Sequence, residues 1–431
     1  MTTPASPPRL FYGWIVVAVA FATMGVAITA RTGLSLLYPE LIDEFGWSSG
    51  AAAGAIGAGF FVSTAILPAV GWMMDRYGPR LTLPVGACLV AAGYVLLTTA
   101  DSLPALYVAV GGFAVTGSMA MSYIAHSMFL PNWFVRRRGL AVGLAFSGVG
   151  VAGIGLLPLM QWGIDTYGWR DAALAMAALI VAVIVPINAI FQRRSPQEMG
   201  LQPDGDPAPL PGAAPADDLV VDRAWAETEW TLRLAMRTTR FWCASGGFFL
   251  GLFIWYGIQM HQTRFLVDAG LAPERAATAL GLVAFCGIFG QIGVGALSDR
   301  IGREPCWGIA GAGFAIASAA FLGFAETGDE RLVWLAVAAQ GLMGYGLASI
   351  FGAVATELFA GPRLASIFAA ISVFGNFGGG AGAWAMGALH DLTGDYRAGF
   401  ALCIVASIGS AVLIWAAGPG KVRRVAGRRR A

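Results

Sequence analysis

Several side chains in this sequence stand where their surroundings make them costly, and each could do chemistry there. Arg31 lies in "VAITARTGLSLLYP", with no other charged residue between Arg9 and Glu40. An arginine in hydrocarbon costs several kcal/mol even by insertion scales, so its place needs a reason. Its planar fork holds a carboxylate through two parallel hydrogen bonds, which suits anion capture. At about 1.5 Å per residue it lies roughly 10 Å from the centre of a helix over 11–38, a depth that equally permits snorkelling to the headgroups. His126 and His261 lie in two other apolar runs. Imidazole titrates near neutrality, so these two are the candidate proton carriers, the alternative being helix-to-helix hydrogen bonds.

Polar side chains within apolar runs usually face a bundle interior. Gln259, Gln291, Gln340 and Asn376 are such residues, and Tyr123 and Tyr345 could line a cavity with them. The candidate substrate-binding set is therefore Arg31, Tyr123, His126, Gln259, His261, Gln291, Tyr345 and Asn376. Other chemistries find no residues. There is no HExxH, no nucleophile constellation and no mid-run acid pair, so an intramembrane enzyme is a poor reading. "VFGNFGGGAG" lies inside an apolar run without a strand-to-helix context, and no GxxxxGK[ST] exists, so ATP hydrolysis at a Walker site is excluded. The five cysteines show no CxxC spacing and read as small core residues, so neither a metal nor another cofactor is expected.

The elements that must hold these residues are membrane helices. The chain of 431 residues is 57% hydrophobic and 12% charged. That is about half the charge of a soluble domain. Runs long enough to cross about 30 Å of hydrocarbon need about 20 residues. They fall near 11–38, 49–71, 81–100, 105–130, 139–162 and 171–191, then near 241–265, 276–297, 306–325, 332–356, 365–389 and 399–417. The fold class is an all-α membrane protein of twelve spans in two six-helix bundles. The expected units are residues 1–191 and 241–417, a linker over 192–240 and a basic tail over 418–431. In the linker, the Pro- and Gly-rich "SPQEMGLQPDGDPAPLPGAAPADD" predicts disorder. After it, Arg233, Arg237 and Arg240 predict one amphipathic helix lying on the membrane surface.

The two sets of spans are copies. "GWMMDRYGPR" at Gly71–Arg80 returns as "GALSDRIGR" at Gly295–Arg303, 224 positions later. "EFGWS" at Glu44 returns as "DAGLA" at Asp268 with the same offset, and "DTYGWRDA" at Asp165 as "DLTGDYRA" at Asp391. A duplicated six-helix unit points to a secondary transporter with its site between the halves at mid-membrane. With both termini inside, the inner segments hold 21 of the 27 basic residues, which predicts cytoplasmic termini in the cell inner membrane.

The repeated GxxxDRxGxR pattern resembles the major facilitator superfamily along the whole chain. The resemblance implies a latch on the cytoplasmic side, formed while the site faces outward. Gly71, Asp75, Arg76 and Arg80 would form it in one half, with Asp299, Arg300 and Arg303 in the other. Asp75 would accept the free N–H groups of a neighbouring helix start, and Arg76 and Arg80 would pair across the halves. "NWFVRRRGLAVG" is similar to the fifth-helix signature of monocarboxylate transporters, and the "YGW" at Tyr12–Trp14 to that family's bacterial branch. Within it, Gly139, Gly143 and Ser147 form a small-residue stripe for helix packing. The resemblance implies an anion-binding Arg in the eighth span, an Asp one turn earlier and a Lys in the first span. This chain has Gln291, Gly287 and Thr32 at those positions, and its only lysine is Lys421. Arg31 would then take over anion capture.

The function expected is transport of a small organic anion by alternating access, with protons coupled to it. Export of an apolar or aromatic compound is the competing expectation. The partners expected are the organic acid, protons and the bilayer, with no nucleic acid, for a monomer.

Overall fold

Glycine or a proline-bearing turn separates most of the long apolar helices, as expected where helices must stop at a membrane face. The computed structural model describes residues 11–47, 49–207 and 219–428. Twelve of its helices are long and apolar enough to cross a membrane. In chain order the first half comprises α1 (Tyr12–Phe45), α2 (Ser49–Tyr77), α3 (Pro79–Leu97), α4 (Leu103–Asn132), α5 (Arg138–Tyr167) and α6 (Trp169–Phe191). The second comprises α7 (Thr239–Asp268), α8 (Pro273–Ile301), α9 (Arg303–Thr327), α10 (Glu330–Phe359), α11 (Leu364–Thr393) and α12 (Arg397–Ala417). Observed helices differ from the predicted spans mostly by about a turn, with overruns approaching two turns at the ends of α1 and α2, while α3 ends just short of its predicted limit.

The halves meet along two seams, α5 with α8 and α2 with α11. Both are tight at the end that carries the DR loops. A Cβ on Gly139 would lie 2.1 Å from the Gly295 carbonyl oxygen, and one on Gly143 would lie 2.3 Å from that of Gln291. A Cβ on Gly71 would lie 2.9 Å from the Ala365 carbonyl oxygen. The small-residue stripe of α5 thus packs one half on the other, backbone against backbone. Fourteen residues further along the same helix faces, the seams have parted. A Cβ on Gly153, Gly281 or Gly57 meets no described atom within 4 Å. The molecule is closed at its motif end and splayed at the opposite end.

Helices α4 and α10 are both interrupted at equivalent places. In α4 a π-helical stretch, Tyr107–Val115, precedes a break at Ala120–Ser122, and in α10 Ala339–Met343 precedes a 3-10 turn at Gly344–Gly346. Such interruptions expose backbone and turn side chains inward only where they border a cavity.

The linker departs from both expectations. Residues 196–207 are ordered, and Asp204 anchors them by accepting the backbone N–H groups of Val135 (3.0 Å) and Arg136 (2.9 Å). The remaining Pro-rich stretch, 208–218, lies outside the described residues. The single amphipathic helix is absent. Single-turn helices at Arg223–Ala226 and Leu232–Ala235 take its place, because Thr231 and Thr238 each cap a new helix start. Arg240 turns back onto the Trp225 ring, 4.3 Å from its centroid, instead of lining a stripe. The tail pairs with the linker through an antiparallel bridge, Val220 with Arg423.

Candidate functional site

Arg31 opens into a cavity between the halves. The cavity holds about 780 Å³ free of protein atoms, counting its open mouth. Two contacts hold α1 around this arginine. The Tyr94 hydroxyl of α3 donates to the Ala30 carbonyl at 2.5 Å, and Thr32 bonds back to the Ile28 carbonyl at 3.0 Å. On the first half's side, Met119, Ser122 and Tyr123 come from the break in α4, and Ser127 from the turn after it. The Tyr123 ring stands edge-on to Phe146, 4.9 Å away. The second half's wall is mainly aromatic: Phe248, Trp255 and Tyr256 from α7, Phe351 from α10 and Phe368 from α11. Ser372 and Asn376 of α11 add the uncharged polar groups, and Asn376 donates to Thr64 of α2 at 3.4 Å. Among the described residues, Arg31 is the only charged side chain lining the cavity.

Of the residues singled out from sequence, Arg31, Tyr123 and Asn376 line the cavity and the others do not. Gln291 is the clear correction. The α8 face that carries it is packed on Gly143 of α5, so its side chain is buried in the seam with Oε1 lacking a partner among the described atoms. His126 is fully buried between Ser122 and Ser127, with Nδ1 3.1 Å from the Ser122 carbonyl. His261 reaches the Ala383 carbonyl at 2.8 Å, away from the cavity. Gln259 and Tyr345 stand behind the wall. Gln259 accepts the Trp255 indole N–H at 2.7 Å, and Tyr345 stacks on that indole at 4.4 Å. The wall residue Trp255 was not foreseen. An aromatic pair at mid-span with an amide one turn on was the signal present.

The loop motifs form the contacts that close the motif end. Asp75 accepts the N–H groups of Ala365 (3.0 Å) and Ser366 (2.9 Å) at the start of α11. Asp299 accepts those of Gly139 (2.9 Å) and Leu140 (3.0 Å) at the start of α5. Each carboxylate satisfies two otherwise orphaned donors at the positive end of a helix. The cross-seam pairing expected of Arg76 and Arg80 is not there. Arg80 donates to the Ala189 carbonyl of its own half at 2.5 Å, and Arg76 lies exposed, 5.6 Å from the Tyr77 ring centroid. Arg194, outside the motif, donates to the Asp75 carbonyl. In the second half Arg303 is 1% exposed and bridges Asp299 and Glu357, each at 2.8 Å. Arg138 of α5 reaches Glu357 at 3.7 Å, so the arginine that crosses the seam comes from the RRR cluster. Arg300 is exposed.

Comparison with known proteins accords with this architecture. A family model for the Major Facilitator Superfamily matches residues 19–351 and 270–430. The chain belongs to that superfamily. Within it, Monocarboxylate transporter 13 of Bos taurus is 27% identical over 96% of this chain and 91% of its own length. Monocarboxylate transporter 11 of Mus musculus is 28% identical over 93% and 86%. Among solved structures, the superfamily transporter FucP shares the fold at a TM-score of 0.68, with 16% identity over 94% of this chain and 99% of that one. The human organic anion transporter MFSD10 does so at 0.65, with 14% identity over 95% and 100%. The chain is thus a multi-pass membrane protein of a transporter superfamily, built as two six-helix bundles.

Proposed function

We propose that this facilitator carries a small organic anion by alternating access, with Arg31 as the group that binds the anion. One observation carries the reading: the one charged side chain among the described lining residues of the cavity between the two six-helix halves is the guanidinium of Arg31. A fork-shaped donor favours a carboxylate over neutral or cationic solutes. The names of the monocarboxylate relatives point the same way. Closed seams at the motif end and parted seams at the opposite end support an outward-facing state, with the motif end, termini and linker in the cytoplasm. Proton coupling completes the reading. The burial of His126 beside cavity-lining Ser122 and Ser127, with Nε2 unpartnered among the described atoms, supports it as the proton carrier in this reading. The protein acts as a monomer in the inner membrane.

The aromatic wall would also suit export of an apolar compound, but that reading leaves Arg31 without a task. Uptake of labelled propionate and 3-phenylpropionate into proteoliposomes separates them. Anion uptake that Arg31→Gln abolishes, at unchanged protein level, supports the proposal. Uptake indifferent to Arg31, or confined to neutral aromatics, overturns it.

A further inference from the structure

The position where monocarboxylate transporters would place an acid in the eighth span is Gly287, and its surroundings show why a side chain does not fit there. A Cβ on Gly287 would lie 2.4 Å from the Tyr345 ring. Tyr345 in turn lies against Trp255, ring centroids 4.4 Å apart and planes 31° apart. The far end of the same indole is held by Gln259, whose Oε1 accepts its N–H at 2.7 Å. Trp255 is therefore held from two sides, and its indole lines the cavity.

Resting on the reading of Arg31 as the anion site, we propose that the substrate is a monocarboxylate with an aromatic or comparably flat apolar body. The carboxylate meets Arg31 on the first half, and the ring packs on Trp255 in the aromatic wall of the second. The chemistry of the lining sets each part of this description. A single cation among the described lining residues suits one carboxylate and leaves a second without a partner. No lining acid is present among them to pair with an ammonium group. A held indole offers a flat face at low entropic cost, and stacked or edge-on aromatic contacts add to the area they bury. The two groups lie on opposite halves, so such a substrate would touch both. Gln259, Tyr345 and Gly287 act through Trp255 and are positioning residues.

Isothermal titration of the purified full chain with propionate, 3-phenylpropionate and phenethylamine tests this. The expected result is 3-phenylpropionate binding at least about tenfold tighter than propionate, with phenethylamine the weakest. Trp255→Leu should remove that difference by weakening 3-phenylpropionate at least about tenfold, with the thermal midpoint of the variant reporting that it is folded. Gly287→Ala and Gln259→Leu should reduce the difference in part, while Arg31-dependent binding of both acids persists, which a general loss of folding would not allow. Equal affinities for the two acids in the wild type, or a preference that survives Trp255→Leu, overturn the aromatic proposal while Arg31-dependent binding of both acids keeps the anion reading. Binding of the acids that Arg31→Gln does not weaken, or no binding of either acid, overturns both. Phenethylamine binding as tightly as 3-phenylpropionate overturns the assignment of charge.

Discussion

Gly139 and Gly295 face one another across the α5–α8 seam so closely that neither has room for a methyl group. A Cβ on the first would lie 2.1 Å from the carbonyl oxygen of the second, and the reverse contact would be 2.4 Å. Backbone cannot retreat as a flexible side chain can, so any larger residue must force the seam apart. Gly139→Leu should therefore shift the population toward a form open at the motif end. Spin labels at Arg137 and Gly361, both exposed and on opposite halves, would report a longer distance in the variant. An unchanged distance distribution would show that the seam is not the gate.

The charge cluster beside that seam should be the more fragile of the two latches. Glu357 is 3% exposed and faces both Arg303 and Arg138. Glu357→Gln leaves the buried Arg303 and the partly buried Arg138 without the acid they share. Removing one member of a buried ionic pair costs about 3–5 kcal/mol. A large drop in thermal midpoint is expected, bigger than for Asp75→Asn, whose carboxylate is only half-buried. Equal midpoints for the two variants would remove this ranking.

At Arg31 the fork and the charge can be told apart. Arg31→Gln should weaken 3-phenylpropionate at least about 30-fold, from a truncation penalty of roughly 2–5 kcal/mol. Arg31→Lys should recover little, since a point charge does not reproduce two parallel bonds. A snorkelling arginine predicts otherwise: Lys equals Arg, and affinity is untouched. Titration of the three proteins decides between them. Moving a cation to Gln291 should not rescue binding, because that position faces the seam.

For coupling, His126→Gln should abolish accumulation of 3-phenylpropionate driven by a proton gradient and spare exchange of internal for external substrate. Proteoliposomes with and without an imposed pH difference measure both. Accumulation that survives in the variant assigns the proton to some other carrier.

Orientation is checked by labelling cysteines placed singly at Pro207 and Asp395, both exposed and on opposite ends of the bundle. Pro207→Cys should react with an impermeant maleimide only from the cytoplasmic side, and Asp395→Cys only from outside. Reversed labelling would invert the topology.

The helices, their number, the internal duplication and the two DR loops were legible in the residues alone. Each depends on local features: apolar run length, a glycine or proline at a turn, a motif recurring at one offset. For Asp75 a helix start as partner was legible too, since such a start has N–H groups to offer, and in the structure Asp299 does the same at the start of α5. What the chain did not announce was which way its polar side chains point. A membrane helix apolar on most sides has no strong polar face, so its periodicity does not mark the side turned inward. Gln291 and His126 looked alike as polar residues in oil, and only the neighbours of α8 and α4 show that neither lines the cavity. Arg138 was one of three adjacent arginines until the approach of α10 gave it Glu357. The aromatic wall depended on the same kind of decision. Trp255 became a binding surface when Tyr345 and Gln259 closed on its indole from behind, and Gly287 left the space for them to do so. Sequence determined the helices and where they end. Packing between helices far apart in the chain decided which of their faces make a site, because only a neighbour's shape distinguishes one apolar face from another.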